Sequence, residues 1–302
     1  MTSPAPTDID ATLGFTIPGR HARGRVARLG PVIDEIVAAH AYPPAIEKLL
    51  VEALILTALI GATLKDPTGQ LTLQAQTQAG VVKLLVCDYR GGELRGYVDF
   101  DADKLAEAPQ DPTLFALFGE GYLAVTFDLS STDQRYQGIV PLDGATLAQA
   151  AENYFVQSEQ IPTLIRLGAA VRDGKHVAGG LFLQHLPEGE EGRERLHVRL
   201  DHPEWEHVAI LGGTMSADEL ADPDLPFETL IWRLFNEEEE VRVLARTPLR
   251  KGCRCDGDYY ASVLAKFSDE ERLEMADDDG LIRVNCAFCA KIFPVPATVS
   301  AP

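Results

Sequence analysis

Two short stretches near the C-terminus decide how the last part of this chain folds: "KGCRCDGDYY" (251–260) and "VNCAFCAKIF" (284–293). They contain four of the five cysteines, which are Cys253, Cys255, Cys286 and Cys289. The arrangement is C-x-C, then a spacer over 256–285, then C-x-x-C. Four thiolates complete the tetrahedral shell that zinc prefers. The sequence therefore predicts a small zinc-binding domain over 247–302, with one Zn²⁺ per chain.

The metal should stabilise this domain, because the tail is too short to bury a large apolar core. Residues 247–302 contain no histidine, so the ligand set must be all cysteine. A zinc ribbon that only holds the tail together is one interpretation. A switch is the other, since oxidants attack thiolates. Each pair is also close enough in sequence to form its own disulfide, and a C-x-C disulfide should be strained and easily reduced.

Composition and charge exclude several classes of protein. The chain has 302 residues, 46% of them hydrophobic, and a formal charge of −19. That charge argues against a nucleic-acid partner, which usually meets a basic surface. The N-terminus has no basic region followed by an apolar run, so we expect no secretory signal. The longest apolar stretch, 49–64, is short for a membrane span and contains Glu52, which indicates a buried helix. We therefore expect a cytoplasmic protein with no membrane partner.

Residues 1–187 have the pattern of an α+β core domain, in which hairpin-linked strands carry packed helices. Pro31 favours a helix start, and 45–65 is a second, strongly apolar helix. The strands are predicted from period-two alternation, from a Gly-Gly turn at 91–92 and from short apolar runs. The predicted strands and the third helix are 71–76, the hairpin 81–100, 122–129, 137–142, the helix 145–158, and 176–186.

Residues 188–246 predict an acidic helical linker. This stretch holds sixteen Asp or Glu and six Arg, a net charge of −10. It also contains "LPFETLIWRLF" (225–235), which fits an amphipathic helix. We expect Leu230, Trp232 and Phe235 to supply most of the area that docks this helix. An ordinary surface helix with a solvated acidic end is the alternative.

The remaining candidate residues predict no second site. Cys87 lies in a strand pattern and should be a buried, inert thiol. The histidines, among them His176, His185, His197, His202 and His207, lack partners at ligand spacing and are interpreted as surface residues. Catalytic motifs such as G-x-S-x-G, H-E-x-x-H or a phosphate loop are absent. "AGG" (178–180) favours close packing of strands. Ser268 and Glu271 fit a capping box.

Motifs along nearly the whole chain resemble those of a known family, the redox-regulated holdase chaperones of bacteria called 33 kDa chaperonins. They are "GRVARLG" (24–30), "YPPAIEKLLVEALILTALIGATLK" (42–65), "GQLTLQAQ" (69–76), "GELRGYV" (92–98), "YQGIVPLDG" (136–144), "ENYFVQSEQIPT" (152–163), "AGGLFLQ" (178–184) and the two cysteine pairs. The cysteine arrangement is the most specific of them.

The resemblance implies a function and a role for each cysteine. Cys253, Cys255, Cys286 and Cys289 would bind zinc in the reduced, inactive protein. Oxidation would pair Cys253 with Cys255 and Cys286 with Cys289, release zinc and loosen the tail and linker. The oxidised protein would dimerise and hold unfolding client proteins without ATP. Such a protein is not an enzyme, and we expect no catalytic residue.

Two other functions remain open from the residues alone. Cys286 and Cys289 could serve a thiol–disulfide oxidoreductase, although a redox C-x-x-C normally follows a strand and opens a helix. A structural zinc ribbon could instead bind a protein partner.

Overall fold

The computed structural model describes residues 8–129, 134–186 and 202–298. The strands are β1 (Ala11–Ile17), β2 (Ala22–Leu29), β3 (Gln70–Gln76), β4 (Val82–Arg90), β5 (Glu93–Phe100), β6 (Tyr122–Leu129), β7 (Gln134–Pro141), β8 (Thr163–Arg172), β9 (Lys175–His185), β10 (Arg242–Pro248), β11 (Arg250–Lys251), β12 (Leu281–Asn285) and β13 (Ile292–Pro296). The helices are α1 (Pro31–Val37), α2 (Pro44–Gly61), α3 (Ala102–Glu107), α4 (Leu114–Phe118), α5 (Leu147–Tyr154), α6 (Pro203–Gly213), α7 (Ala217–Leu220), α8 (Phe227–Phe235), α9 (Gly257–Leu264) and α10 (Asp269–Met275).

Two large sheets form the main body. Sheet A has the order β10-β1-β2-β9-β8, and all its strands are antiparallel. Sheet B has the order β11-β5-β4-β3-β6-β7, antiparallel except for the parallel pair β11–β5. The hairpin β12–β13 is a separate third sheet near the C-terminus. Strands and helices are both abundant, so the predicted α+β fold class is confirmed.

Helix α2 lies between the two large sheets. It packs against β2, β8 and β9 of sheet A and against β3, β4 and β5 of sheet B. Thirteen of its 18 residues are buried, and the exposed residues Pro44 and Lys48 lie near its N-terminus. From Ala53 to Gly61 its sequence carries no charged residue, and helical stretches that are apolar all round are buried or membrane-spanning. No helix within the described ranges is long and apolar enough to cross a membrane.

Helices α6, α7 and α8 cover the other face of sheet A. Their apolar side chains form a second core with the side chains of β1, β2, β8 and β9 that point away from α2. Helix α7 lies directly on two paired glycines, Gly168 of β8 and Gly179 of β9. A Cβ atom at either position would stand 2.0 or 1.9 Å from a carbonyl oxygen of α7. The predicted close packing at "AGG" is thus a helix-to-strand contact at Gly179.

Residues 202–246 of the acidic segment are therefore an integral part of the folded structure. Its last strand, β10, pairs with β1 at the edge of sheet A. The chain then continues through buried Leu249 into β11, which pairs with β5 at the edge of sheet B. We call residues 242–252 the strap, because this one segment is hydrogen-bonded to both large sheets. The division into 1–187, 188–246 and 247–302 stays a prediction.

The tail beyond the strap has its own small core. Leu264 of α9, Ile282 of β12 and Val295 of β13 are buried together with Ala297. The predicted capping box begins α10: Ser268 accepts a hydrogen bond from the amide of Glu271, whose carboxylate accepts one from the amide of Ser268. So small a core fits the expectation that this domain needs an additional stabilising element.

Candidate metal centre

The two cysteine pairs lie on two separate loops. The C-x-C knuckle (253–255) follows β11 and ends where Asp256 caps α9. The C-x-x-C knuckle (286–289) is the turn of the β12–β13 hairpin. This turn is closed by two hydrogen bonds, from the Cys286 amide to the Lys291 carbonyl (3.0 Å) and from the Ala290 amide to the Cys286 carbonyl (2.8 Å). The fold of the tail thus presents both knuckles to each other.

The four sulfur atoms converge on one point. Cys253 Sγ lies 3.6 Å from Cys286 Sγ, and Cys255 Sγ lies 3.6 Å from Cys289 Sγ. All four Sγ atoms are within 4.8 Å of one another. Zinc–sulfur bonds of about 2.3 Å place the sulfurs of a tetrahedral site about 3.8 Å apart. The spacing and the all-sulfur donor set therefore fit a tetrahedral zinc ion.

Ionisation of the cluster is uneven. Burial opposes ionisation of Cys286, but hydrogen bonds from the backbone amides of Cys289 and Phe288 outweigh it, and the pKa falls to about 7. Burial and the neighbouring thiols raise the pKa of Cys255 to about 12. Burial also raises the pKa of Cys289. Four sulfurs this close repel as thiolates, so a divalent cation is what would stabilise their charged form.

Tyr260 closes one side of the cluster. Its ring lies 5.2 Å from the ring of Phe293 on β13. Burial raises the pKa of its hydroxyl to about 12, with a further contribution from the hydrogen bond to Cys286. Tyr260 therefore stays protonated and can donate to that sulfur. Sequence reasoning missed this residue, although "DGDYY" places it one helical turn beyond the C-x-C knuckle.

The fifth cysteine lies elsewhere. Cys87 is on β4 and is completely buried beneath α2. Burial raises the pKa of its thiol, so the thiol stays protonated. Buried, protonated thiols react slowly with oxidants. Its position agrees with the expected inert core residue.

The three residues expected to dock the linker helix do not behave alike. Leu230 and Phe235 are each only 1% exposed, whereas Trp232 is 66% exposed. The expectation for Trp232 is wrong because it lies on the opposite side of α8. The buried side is formed at helical spacing by Phe227, Leu230, Ile231, Leu234 and Phe235. That spacing is the usual one for an amphipathic helix.

The linker is anchored by an arginine that sequence reasoning did not single out. Arg28 of β2 is fully buried and donates hydrogen bonds to the carbonyls of Leu220 and Leu225, both at 3.1 Å. Its guanidinium also lies over the ring of Phe227, 5.1 Å from the centroid. A signal existed: alternation along β2 places Arg28 on the same face as Ala22 and Val26. A charge on an apolar face needs partners.

The interpretation of the histidines as surface residues is wrong for two of them. His185 is buried, because α6 places Trp205 and His202 against it. His176 is mostly buried between the carboxylates of Asp34 and Glu47, each 2.8 Å from one of its ring nitrogens. Two of the other histidines, His202 and His207, are partly exposed. His197 lies outside the described residues.

Comparison with known proteins identifies the family. A family model described as Hsp33 protein matches residues 10–295. The chain belongs to the Hsp33 family. Similar relatives include the 33 kDa chaperonin of Caulobacter vibrioides (strain NA1000 / CB15N), which is 41% identical over 292 residues covering 94% of each chain. The 33 kDa chaperonin of Yersinia pestis (strain Pestoides F) is 35% identical over 268 residues, or 88% of this chain and 85% of the relative.

A solved structure supports the Hsp33 fold independently. The crystal structure of the 33 kDa chaperonin, an Hsp33 homologue, from Thermotoga maritima matches with a TM-score of 0.76 over 95% of both chains. The sequences are 21% identical in this comparison, so the likeness concerns the fold alone.

Proposed function

We propose that this Hsp33-family chain is a chaperone that oxidation switches on. In the reduced state the four cysteines would hold one zinc ion and the chaperone would be inactive. On oxidation it would hold unfolding proteins and prevent their aggregation without ATP, as a homodimer in the cytoplasm. The names of its relatives support the general class of chaperone, and the cysteine cluster supports regulation.

One observation carries the regulatory part: four sulfurs from two loops lie within 4.8 Å of one another. Cys253, Cys255, Cys286 and Cys289 are the residues that would hold the ion. Bound zinc would crosslink the two knuckles and keep the sulfurs as thiolates. Because the tail has only a small apolar core, this crosslink should supply much of its folding free energy.

The oxidation step would convert thiolates into disulfides. In each knuckle two thiolates would lose two electrons to an oxidant such as peroxide, and a bond would form between their sulfurs. Pairing Cys253 with Cys255 and Cys286 with Cys289 would leave no link between the knuckles. Pairing across the knuckles would replace one crosslink by another and keep the tail closed. The proposed switch therefore requires pairing within each knuckle.

Loss of the crosslink would weaken the attachment of the strap (242–252) to the two sheets. This segment contains β10, which pairs with β1 of sheet A and whose Arg246 donates to the carboxylate of Glu228 on the linker helix α8 at 2.6 Å. If the strap detaches, α8 loses a neighbour and its apolar side can separate from sheet A. Exposed apolar surfaces of this kind bind unfolded proteins and second copies. The large buried faces of α6 and α8 make this the surface we propose for clients and for dimerisation.

The surroundings of the C-x-x-C knuckle argue against the rival oxidoreductase. In this chain it is a hairpin turn between two strands. A redox-active C-x-x-C instead opens a helix, whose N-terminus stabilises the attacking thiolate. A structural zinc ribbon has the same ligands, so geometry alone does not separate it from a switch.

One experiment separates the three functions. The zinc-loaded protein is treated with peroxide at mild heat and then added to a chemically unfolded client, whose aggregation is followed by light scattering. A chaperone switch suppresses aggregation only after oxidation. A ribbon suppresses it in neither state. An oxidoreductase instead reduces disulfides in a model substrate, which should be assayed in parallel.

A further inference from the structure

A corner of the outer face of sheet B carries a charged cluster. Asp88 of β4 has a side chain that is only 4% exposed. It accepts hydrogen bonds from the hydroxyl of Thr72 (2.6 Å) and from Nε of Arg95 (2.7 Å). Gln70 and Tyr97 are on the same face, because they alternate with the buried residues of β3 and β5. We call Gln70, Asp88, Arg95 and Tyr97 the sheet B corner.

Each knuckle sends one side chain to this corner. Arg254, the middle residue of the C-x-C knuckle, donates to Oε1 of Gln70 at 2.9 Å and lies 3.5 Å from Oδ2 of Asp88. Phe288, inside the C-x-x-C knuckle, lies beneath the guanidinium of Arg95, 3.9 Å from its carbon to the ring centroid. Both contacts come from residues that lie between two cysteines.

Aromatic and backbone contacts complete the interface. The rings of Phe288 and Tyr97 form a T-shaped pair, with centroids 4.9 Å apart and planes at 85°. The amide of Gly252, directly before the C-x-C knuckle, donates to the Leu94 carbonyl at 2.9 Å. Lys251 Nζ donates to the carbonyl of Glu35 at 2.7 Å. The cysteine domain is thus docked on the core by its metal-binding loops.

We propose that the sheet B corner is a docking site that binds the cysteine domain only while its two knuckles are held together. This inference rests on the proposed function, since it takes zinc to be what holds them. Arg254 and Phe288 are on different loops, so they reach the corner together only when the loops are adjacent. If the loops separate, each contact must form alone and the gain from simultaneous binding is lost.

The buried carboxylate of the sheet B corner keeps hydrogen-bond partners after the cysteine domain leaves. Asp88 keeps its bonds to Thr72 and Arg95, so no buried charge is left unpaired. Undocking therefore costs the core little, and the core can receive the domain again after reduction. A docking site with this property turns the redox state of the cysteines into attachment or release of the strap.

Hydrogen exchange on the reduced, zinc-loaded full chain tests the docking site. Phe288→Ala removes the contacts with Arg95 and Tyr97 but leaves all four ligands. Loss of both contacts should weaken docking, so that the amides of Arg250 and Gly252, which donate to the carbonyls of Gly92 and Leu94, exchange roughly tenfold faster or more. Tyr259→Ala is the matched control, because this tail aromatic is 62% exposed and should change nothing.

The exchange rate at Gly252 in Phe288→Ala decides whether the sheet B corner is a docking site. Faster exchange at Gly252 with one zinc per chain supports the docking site, and unchanged exchange overturns it. If Phe288→Ala loses zinc, Tyr97→Ala replaces it, since that change lies in the core and not in a knuckle. Neither measurement uses an oxidant or a client. If the oxidised parent fails to hold clients, the proposed function fails while the docking result stands separately.

Discussion

Truncating Phe235 should release the linker without oxidation. This residue is 1% exposed, and its ring lies 5.8 Å from that of Phe15 on β1. Removing a buried phenylalanine side chain costs about 3–5 kcal/mol. Helix α8 has nine residues and little stability of its own, so most of this cost falls on its docking to sheet A. The equilibrium for local opening should shift by roughly two to three orders of magnitude.

The assay compares Phe235→Ala with Trp232→Ala, two aromatic truncations on one helix. Trp232 is 66% exposed, and exposed substitutions usually change stability by less than about 0.5 kcal/mol. We expect reduced Phe235→Ala to retain one zinc per chain, to lose protection in α6–α8 and to suppress client aggregation to a measurable extent. Reduced Trp232→Ala should remain as inactive as the parent.

Two results would refute this reasoning. If Phe235→Ala opens the helices by hydrogen exchange, keeps its zinc and still holds no client, the linker is not the restraining element. If Trp232→Ala activates equally, burial of the helix face is not what matters. Circular dichroism and zinc content must first establish that both variants are folded.

Three further predictions concern the cysteines and the order of unfolding. Cys87→Ser should leave zinc content unchanged, because this thiol is buried in the core beneath α2 and is not among the four clustered sulfurs; loss of zinc would mean that the core strand supports the site. Oxidation should remove hydrogen-exchange protection from the strap, the linker helices and the tail, whereas β2–β9 and α2 keep theirs; uniform loss would indicate general damage. Peptide mapping after oxidation should find one disulfide within each knuckle, and disulfides joining the two knuckles would contradict the proposed release.

The elements that the sequence predicted well are those whose signals are local. Helix α2 was identifiable because its apolar run is long and its start has consecutive prolines. The hairpin β4–β5 was identifiable from alternation around Gly91 and Gly92, both of which adopt positive φ. The cysteine spacing predicted a four-sulfur cluster because few other arrangements use two such pairs.

The features that escaped prediction depend on contacts between distant parts of the chain. Trp232 and Phe235 are both large and apolar, and only the orientation of α8 against sheet A shows which of them is buried. Arg28 binds carbonyls near 220 and 225, almost two hundred residues later in the chain. The docking of Phe288 on Arg95 follows from the path of the strap between two sheets. No local pattern encodes such pairings.

The most direct test follows three quantities in one oxidation time course at mild heat: zinc released, free thiols and suppression of client aggregation. The account predicts that zinc release tracks the loss of four thiols per chain, and that client holding develops once the zinc is lost. Client holding that reaches its full extent while zinc is still bound would contradict it. So would a protein that loses all its zinc and four thiols and yet never holds a client.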